Sequence, residues 1–438
     1  MMTNGRSDNV NTRNLVVDIL LAVTRDGAFS HIAIRDVLDK YRYLPKQDRA
    51  FITRLSQGTI ERMIELDAII NQFSKTKVKK MKPVIAAILR SGVYQLKYMD
   101  SVPDSAACNE AVKLTVKRGF GGLKGFVNGV MRTIARNMDQ ICYPDAEKEP
   151  VRYLSVKYSI PEWLVQRFTE QYGAEACERS LAAYLMPHPT SVQVDTDRSS
   201  VEAIIASLEQ QGITVRQNEQ VERALFLSGY EALDEIEEFE NGLLYVQDTA
   251  SMLAVELAAP KQGDHVIDVC AAPGGKSVYA AHMIGEQGHV EARDLTEYKV
   301  EMIEENIDRC RISNMTAKVW DARVFDEAAR EKADVVIADL PCSGLGVIGT
   351  KTDIKYNASE EKIAELAALQ QEILHVVCGY VKPDGTLLYS TCTMTREENE
   401  DNVQKFLETH AGFELEQMRQ YFPYEGCDGF FMAKIHRR

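Results

Sequence analysis

Across 438 residues no apolar run reaches the roughly 18 positions a membrane-spanning helix needs. The opening segment, MMTNGRSDNVNTRN, is polar, and the Val16–Val23 stretch behind it is short and interrupted by Asp18. That is not the layout of a secretory signal, so the chain is expected to stay in the cytosol. Nine cysteines are scattered, with no C-x-x-C and no Cys/His cluster at metal-ligand spacing. A structural zinc site is therefore not expected, and reduced thiols, most of them small buried hydrophobes, are the default. No internal repeat or low-complexity tract is present. What remains is an ordinary globular composition, 45% hydrophobic and 26% charged, long enough for two or three domains.

The net charge of −14 argues, taken whole, against a nucleic-acid partner. Its distribution argues the other way. Residues 1–140 hold 23 Lys/Arg against 13 Asp/Glu, and the rest of the chain holds 28 against 52. A basic N-terminal third on an acidic body suits a module that meets phosphates, although helices with ordinary solvated lysines would give the same count.

Three regions are expected. Residues 12–137 read as all helix, with apolar positions such as Leu15, Ile19, Leu20, Val23 and Ile85, Leu89, Val93, Leu96 at helical spacing. Breakers fall at Gly27, Pro45, Pro83, Pro103 and Gly119–Gly122, and the basic run Lys75–Lys82 sits between two helices. After a Pro-containing linker near Ile141–Pro150, residues 151–245 read as helices plus a small α+β unit with strands near Ser191–Val194, Ile213–Arg216 and Ala224–Leu227. From 246 to 438 strands and helices alternate. Strand-like runs at Val266–Val269, His289–Ala292, Ala317–Val319, Val335–Ala338 and Thr386–Tyr389 imply βαβ units and a mostly parallel, Rossmann-like α/β sheet. Ligands in such sheets bind beyond the carboxyl ends of the strands.

The motifs cluster at those ends. Asp268-Val-Cys-Ala-Ala-Pro-Gly-Gly-Lys-Ser277 closes the first strand and opens a helix. Gly274 and Gly275 allow a sharp turn and close approach of a ligand, and the helix start offers N–H groups to an anion. The spacing in this turn is neither that of a dinucleotide fingerprint nor that of a phosphate loop, which counts against an NAD-dependent oxidoreductase. Asp294, Asp321 and Asp339 end the next three strands; each alone would pass as a helix cap or loop acid. Asp339-Leu-Pro-Cys-Ser-Gly344 and Tyr389-Ser-Thr-Cys-Thr393 place Cys342 and Cys392 on the same edge. Two cysteines there point to nucleophilic work, because a thiolate must be accessible to attack. For one cysteine alone a buried hydrophobe is the better reading, as for Cys378 in the helical stretch Glu361–Tyr380.

DVCAAPGGKS, DLPCSGLGVI and YSTCT, in this order, resemble the RNA 5-methylcytosine methyltransferases of the Sun (Fmu) family. The likeness extends through Tyr158-Ser-Ile-Pro-Glu-Trp163 and Tyr245-Val-Gln-Asp-Thr-Ala-Ser251 to Asp428-Gly-Phe-Phe431. Val102-Pro-Asp104, Asn109-Glu-Ala-Val112 and Lys124-Gly-Phe-Val-Asn-Gly-Val-Met-Arg132 make the N-terminal region similar to NusB-type RNA-binding domains. That arrangement implies a monomeric enzyme acting on 16S rRNA or a small-subunit precursor, with S-adenosylmethionine as methyl donor and no membrane partner. The resemblance implies that Cys270, Ala271, Ala272, Pro273, Gly274, Gly275 and Lys276 hold the methionine part of the donor, with Asp294 on the ribose and Asp321 on the adenine. It implies Cys392 as nucleophile, Cys342 as the thiol that assists release, and Asp339 on the target cytosine. DNA cytosine-5 enzymes use the Pro-Cys thiol instead, which keeps Cys342 as the runner-up. Two stretches depart from the pattern: Val192-Gln-Val-Asp195 stands where Arg-Val-Asn is usual, and Gly349-Thr-Lys-Thr-Asp353 where a more basic loop is usual. Both are expected to remove RNA contacts. The competing readings are a non-catalytic RNA-binding or ribosome assembly factor that keeps the cofactor fold, and an exocyclic amino methyltransferase. The latter typically carries Asn/Asp-Pro-Pro-aromatic where this chain has Asp-Leu-Pro-Cys.

Overall fold

A computed structural model describes residues 10–438; the polar opening at 1–9, read above as lacking a signal, lies outside the described residues. Two compact units emerge. The first is the described part of Met1–Leu185 together with Thr350–Asn357, and the second is Met186–Gly349 with Ala358–Arg438. Among the described residues no helix is long and apolar enough to cross a membrane.

The first unit is helical throughout. Pro83 occupies the first turn of the helix Pro83–Tyr98, where its missing N–H costs nothing, and Pro45 and Pro103 cap the starts of Lys46–Glu61 and Asp104–Lys117. The apolar stripe Ile85, Ile88, Leu89 and Val93 is buried, together with Val16, Ile19 and Leu20 from Thr12–Thr24. Lys75, Lys77, Lys79, Lys80 and Lys82 are exposed between two helices.

The loop expected to have lost basic RNA contacts is in part internal to this unit, with Thr350 and Lys351 exposed. Thr352, Asp353 and Lys355 are buried. Ser30 Oγ donates to Asp353, Lys355 Nζ donates to the Glu61 carbonyl at 2.8 Å, and Tyr356 donates to the Ile60 carbonyl at 2.9 Å. Burial pushes the Lys355 ammonium down to about 7, since the nearby Glu61 charge offsets only part of the lost hydration. Thr352 and Asp353 are packing residues, and their identity says little about RNA.

The second unit holds two sheets. The smaller comprises β1 (Thr190–Val194), β2 (Thr214–Gln217), β3 (Ala224–Ser228) and β4 (Leu244–Val246), antiparallel in the order β2-β3-β1-β4. Val192, Val194, Leu225 and Leu227 bury one face with Ile204 and Leu208 of the helix Val201–Gln210. The strand β4 was not anticipated, because three residues are too few to show alternation.

The larger sheet contains β5 (His265–Asp268), β6 (His289–Asp294), β7 (Met315–Val319), β8 (Ala333–Asp339), β9 (Val381–Thr391), β10 (Phe413–Tyr421) and β11 (Phe430–Arg437). Its order is β10-β11-β9-β8-β5-β6-β7, parallel from β9 to β7 and antiparallel where β11 joins β9 and β10. This is a Rossmann-like sheet with an appended hairpin. The buried run Val335–Ala338 in β8 is what a strand covered on both faces requires. Strand order reverses beside β5, so the ligand crevice should open at its carboxyl end.

Candidate active site

Asp268 closes β5 and is 1% exposed. Its Oδ2 accepts from Ser277 Oγ at 2.7 Å, whereas Oδ1 is buried with no partner. Burial raises the carboxyl to about 7, although Ser277 and the charge of Lys276 act in the opposite sense. The chain then folds back through Gly274, which at φ +110° adopts a left-handed conformation that side chains rarely tolerate, and the helix Gly275–Ile284 begins. Asp294, at the end of β6, pins this turn: its Oδ2 accepts from the Ala272 N–H at 3.0 Å and its Oδ1 from Lys299 Nζ at 2.9 Å.

Lys276 Nζ meets Asp339 Oδ2 at 2.7 Å, and Ser390 Oγ donates to Asp339 Oδ1 at 2.8 Å. Burial works against the Lys276 charge, but Asp339 outweighs it and holds the ammonium above its usual range. These groups surround a cavity of about 220 Å³ lined by Gln247, Asp248, Ser251, Asp268, Lys276 and Asp339 together with Cys270, Ala271, Ala272, Pro273 and Gly275 of the turn, whereas Gly274 does not line it. Asp294 touches the cavity's wall through Ala272. Asp321 is not among the lining residues and grips Arg323 through both oxygens, at 3.0 and 2.7 Å.

The cavity's chemistry suits S-adenosylmethionine. An unpartnered buried carboxylate oxygen on Asp268 awaits a cation such as the ammonium of the methionine end. The helix that begins at Gly275, directly after Gly274, offers its free N–H groups to an anion.

Beside it lie the two cysteines. Strands β8 and β9 run parallel with Asp339 opposite Ser390, so the loops leaving them carry Cys342 and Cys392 to the same place. Their sulfurs are 3.3 Å apart with no disulfide between them. The hydrogen bond to Cys392, and then burial, hold the Cys342 thiol well above its ordinary range. Cys270 also sits at this edge, but burial and the acids Asp268, Asp294 and Asp339 raise its thiol too, which keeps it unreactive.

Several residues that matter here escaped the sequence reading. Glu398 is fully buried and clamps the Pro-Cys loop: its Oε1 accepts from the Ser343 N–H (2.8 Å) and Gln370 Nε2 (3.1 Å), and its Oε2 from Ser343 Oγ and Thr395 Oγ1 (both 2.6 Å). Asn399 does the same for the Thr-Cys loop, accepting from Thr391 Oγ1 at 2.6 Å and donating to the Thr393 carbonyl at 3.2 Å. Ser343 and Thr393 hydroxyls, 2.7 Å apart, tie the loops to each other. Glu398→Ala should cost at least ~2 kcal/mol in urea unfolding, because four donors lose their acceptor inside the protein. An unchanged midpoint would show that the clamp is not structural.

Gly346 is the other hidden element. Its N–H donates to the Cys392 carbonyl at 3.0 Å, and a Cβ there would lie 1.7 Å from the Gly429 carbonyl oxygen. The run Gly344-Leu-Gly346-Val-Ile-Gly349 spells a nucleotide-like glycine pattern, yet Gly346 serves backbone packing.

The departure at Val192–Asp195 is internal as well. Gln193 and Asp195 are buried, Gln193 Nε2 points to the Gly275 carbonyl at 3.4 Å, and Asp195 pairs with Arg198.

A family profile described as 16S rRNA methyltransferase RsmB/F matches residues 255–436. A NusB family profile matches residues 10–136, and an RsmF/B-like ferredoxin-like domain matches residues 160–233. The probable ribosomal RNA small subunit methyltransferase B of Bacillus subtilis is 35% identical, over 97% of this chain and 98% of its own length. The ribosomal RNA small subunit methyltransferase B of Proteus mirabilis is 32% identical over 90% and 91%. Among solved structures, the crystal structure of PH0851 matches with a TM-score of 0.81 at 26% identity, covering 99% of this chain and 100% of that one. NSun6 from Pyrococcus horikoshii, crystallised with SFG, shares the fold at a TM-score of 0.58 and 21% identity, over 63% of this chain and 98% of its own.

Proposed function

The chain belongs to the RsmB/F family of 16S rRNA methyltransferases, and on that footing we propose that it methylates carbon 5 of a cytosine in small-subunit rRNA through a transient cysteine adduct. The observation that carries this reading is the pair of sulfurs, Cys342 and Cys392, 3.3 Å apart beside Asp339. Its methyl donor is S-adenosylmethionine, which when bound supplies an electrophilic methyl group on a sulfonium sulfur.

Carbon 5 of cytosine is a weak nucleophile. In our reading the Cys392 thiolate bonds to carbon 6, and the electrons of the 5,6 double bond shift towards carbon 4 and nitrogen 3. Asp339 accepts from the exocyclic amine, and nitrogen 3 takes a proton from water, after which its N–H also donates to Asp339 and the charge pushed onto the ring is neutralised. Lys276 Nζ, 2.7 Å from Asp339 Oδ2, fixes that side chain in place. Carbon 5 then carries both a methyl group and its original proton. A base takes the proton, the 5,6 double bond re-forms and the carbon–sulfur bond breaks with its electrons returning to Cys392. Cys342, whose sulfur lies 3.3 Å from that of Cys392, meets the departing sulfur with a hydrogen bond. Unstacking a paired base costs about a few kcal/mol, which favours a single-stranded or loosely paired target.

The division of labour we propose follows the sequence: residues 1–140 dock RNA, 151–245 help present it and 246–438 carry out the transfer. Exchanging Lys75, Lys77, Lys79 and Lys80 for glutamine should weaken RNA binding and flatten its salt dependence. Four lost phosphate contacts on single-stranded RNA correspond to a decrease of about 3 in the slope of log K against log salt. Cofactor affinity should stay constant. Unchanged RNA affinity would make the helical domain a protein-docking module.

The product is tested by bisulfite sequencing of rRNA from cells with and without the gene. One small-subunit cytosine should lose its protection when the gene is absent. An unchanged pattern would refute carbon 5 as the target.

A further inference from the structure

Gln247 lies in the two-residue link between β4 and the helix Thr249–Ala258, and it is 7% exposed. Both atoms of its amide, Oε1 and Nε2, are buried with no partner, and its side chain lines the cavity beside Asp268 and Lys276. A buried amide with neither hydrogen bond made is costly, so its place in a binding cavity marks it as waiting for a polar ligand. Its position says which part of a ligand. A Cβ added to Gly275 would lie 3.4 Å from both Cδ and Nε2 of Gln247, so the amide rests against the first residue of the helix that follows the glycine turn. The N–H groups of that first turn have no acceptor within the helix. Lys276, the lysine lining the cavity, is already engaged by Asp339. Of the side-chain donors that line the cavity, Gln247 Nε2 is buried with no partner of its own, whereas Lys276 Nζ already donates to Asp339 and Ser251.

We infer that Gln247 recognises the amino-acid end of the methyl donor, with Nε2 donating to its carboxylate and Oε1 accepting from its ammonium alongside the unpartnered oxygen of Asp268. The inference rests on the cofactor reading above and adds to it a residue that discriminates donors with a zwitterionic tail from nucleosides without one.

The test compares two ligands by calorimetry on the full chain. S-adenosylhomocysteine carries the amino-acid tail, and 5′-methylthioadenosine keeps the nucleoside and thioether without it. Gln247→Leu should weaken S-adenosylhomocysteine by about ten- to a hundredfold, the loss of a hydrogen bond to a charged group, and leave 5′-methylthioadenosine within twofold. Equal loss for both ligands, or no loss for either, would overturn the assignment. Should the leucine variant fail to fold, Gln247→Asn keeps the amide one methylene short and carries the same comparison with the same outcomes. Failure of the parent protein to bind S-adenosylhomocysteine would instead strike at the cofactor reading itself, so the two failures are distinguishable.

Discussion

Cys392→Ala is expected to reduce methyl transfer to a small-subunit transcript by at least ~10⁴-fold while leaving S-adenosylhomocysteine binding within twofold. The expectation follows from the chemistry, in which the sulfur activates the ring and nothing else in the cavity can replace it. Burial and three acids raise the Cys270 thiol, and Cys342, although it loses the Cys392 contact in this variant, stays buried beside Glu398 and Asp339, which raise its thiol too. Cys342→Ala should behave differently. Without the thiol that meets the departing sulfur, turnover falls less steeply and the protein–RNA adduct persists long enough to be seen on a denaturing gel. Rates from labelled methyl donor give the first result, and the gel gives the second. Equal losses in the two variants with no adduct in either would mean that the roles have been assigned wrongly.

Asp339→Asn should lower kcat by about 10²–10³-fold, the usual cost of removing a group aimed at developing charge. The variant keeps the shape of the side chain and its contact with Ser390, but it cannot neutralise Lys276. Lys276 is nearly buried, its side chain 11% exposed, so its ammonium loses the partner that offsets desolvation. A fall in stability of about 2 kcal/mol is expected, less than for a fully buried pair because the Asp339 side chain is 28% exposed. The decisive readout is kcat at saturating cofactor, since stability alone moves the amount of folded enzyme. An Asn variant with parental kcat would remove Asp339 from the chemistry and leave it as a partner of Lys276.

How much of this could be read in advance divides along a physical line. Strand ends in a parallel sheet convert position in sequence into position in space. Asp268, Asp339, Cys342 and Cys392 could therefore be placed on one edge before any coordinates, and β5 through β9 lie where apolar runs suggested. The hairpin β10–β11 was harder to foresee. Its outer strand is largely exposed, Phe-Glu-Leu-Glu-Gln-Met-Arg-Gln-Tyr, and owes its form to pairing with β11 more than to its own pattern. Glu398 and Asn399 were invisible for a related reason. In sequence, Arg-Glu-Glu-Asn-Glu looks like the solvated start of a helix, and its purpose appears only when Ser343, 55 residues away, is seen to donate to it. Polarity misled in the opposite sense at Thr350–Asn357. A stretch containing threonine, aspartate and lysine reads as a surface loop, yet hydrogen bonds to Ser30 and to the Glu61 and Ile60 carbonyls let it sit inside the helical unit. At Asp321 the side chain pairs with Arg323, a contact that its place beyond a strand end did not announce.

The most direct test of a sulfur bonded to the pyrimidine is a substrate that cannot let go of it. RNA carrying 5-fluorocytosine at the target has no carbon 5 proton to lose, so the adduct should accumulate in the presence of methyl donor and survive denaturation. Peptide mapping of the trapped species should place the RNA on Cys392 in the parent protein and in Cys342→Ala, with no adduct in Cys392→Ala. An adduct mapped to Cys342, or one that persists when Cys392 is alanine, would contradict the account.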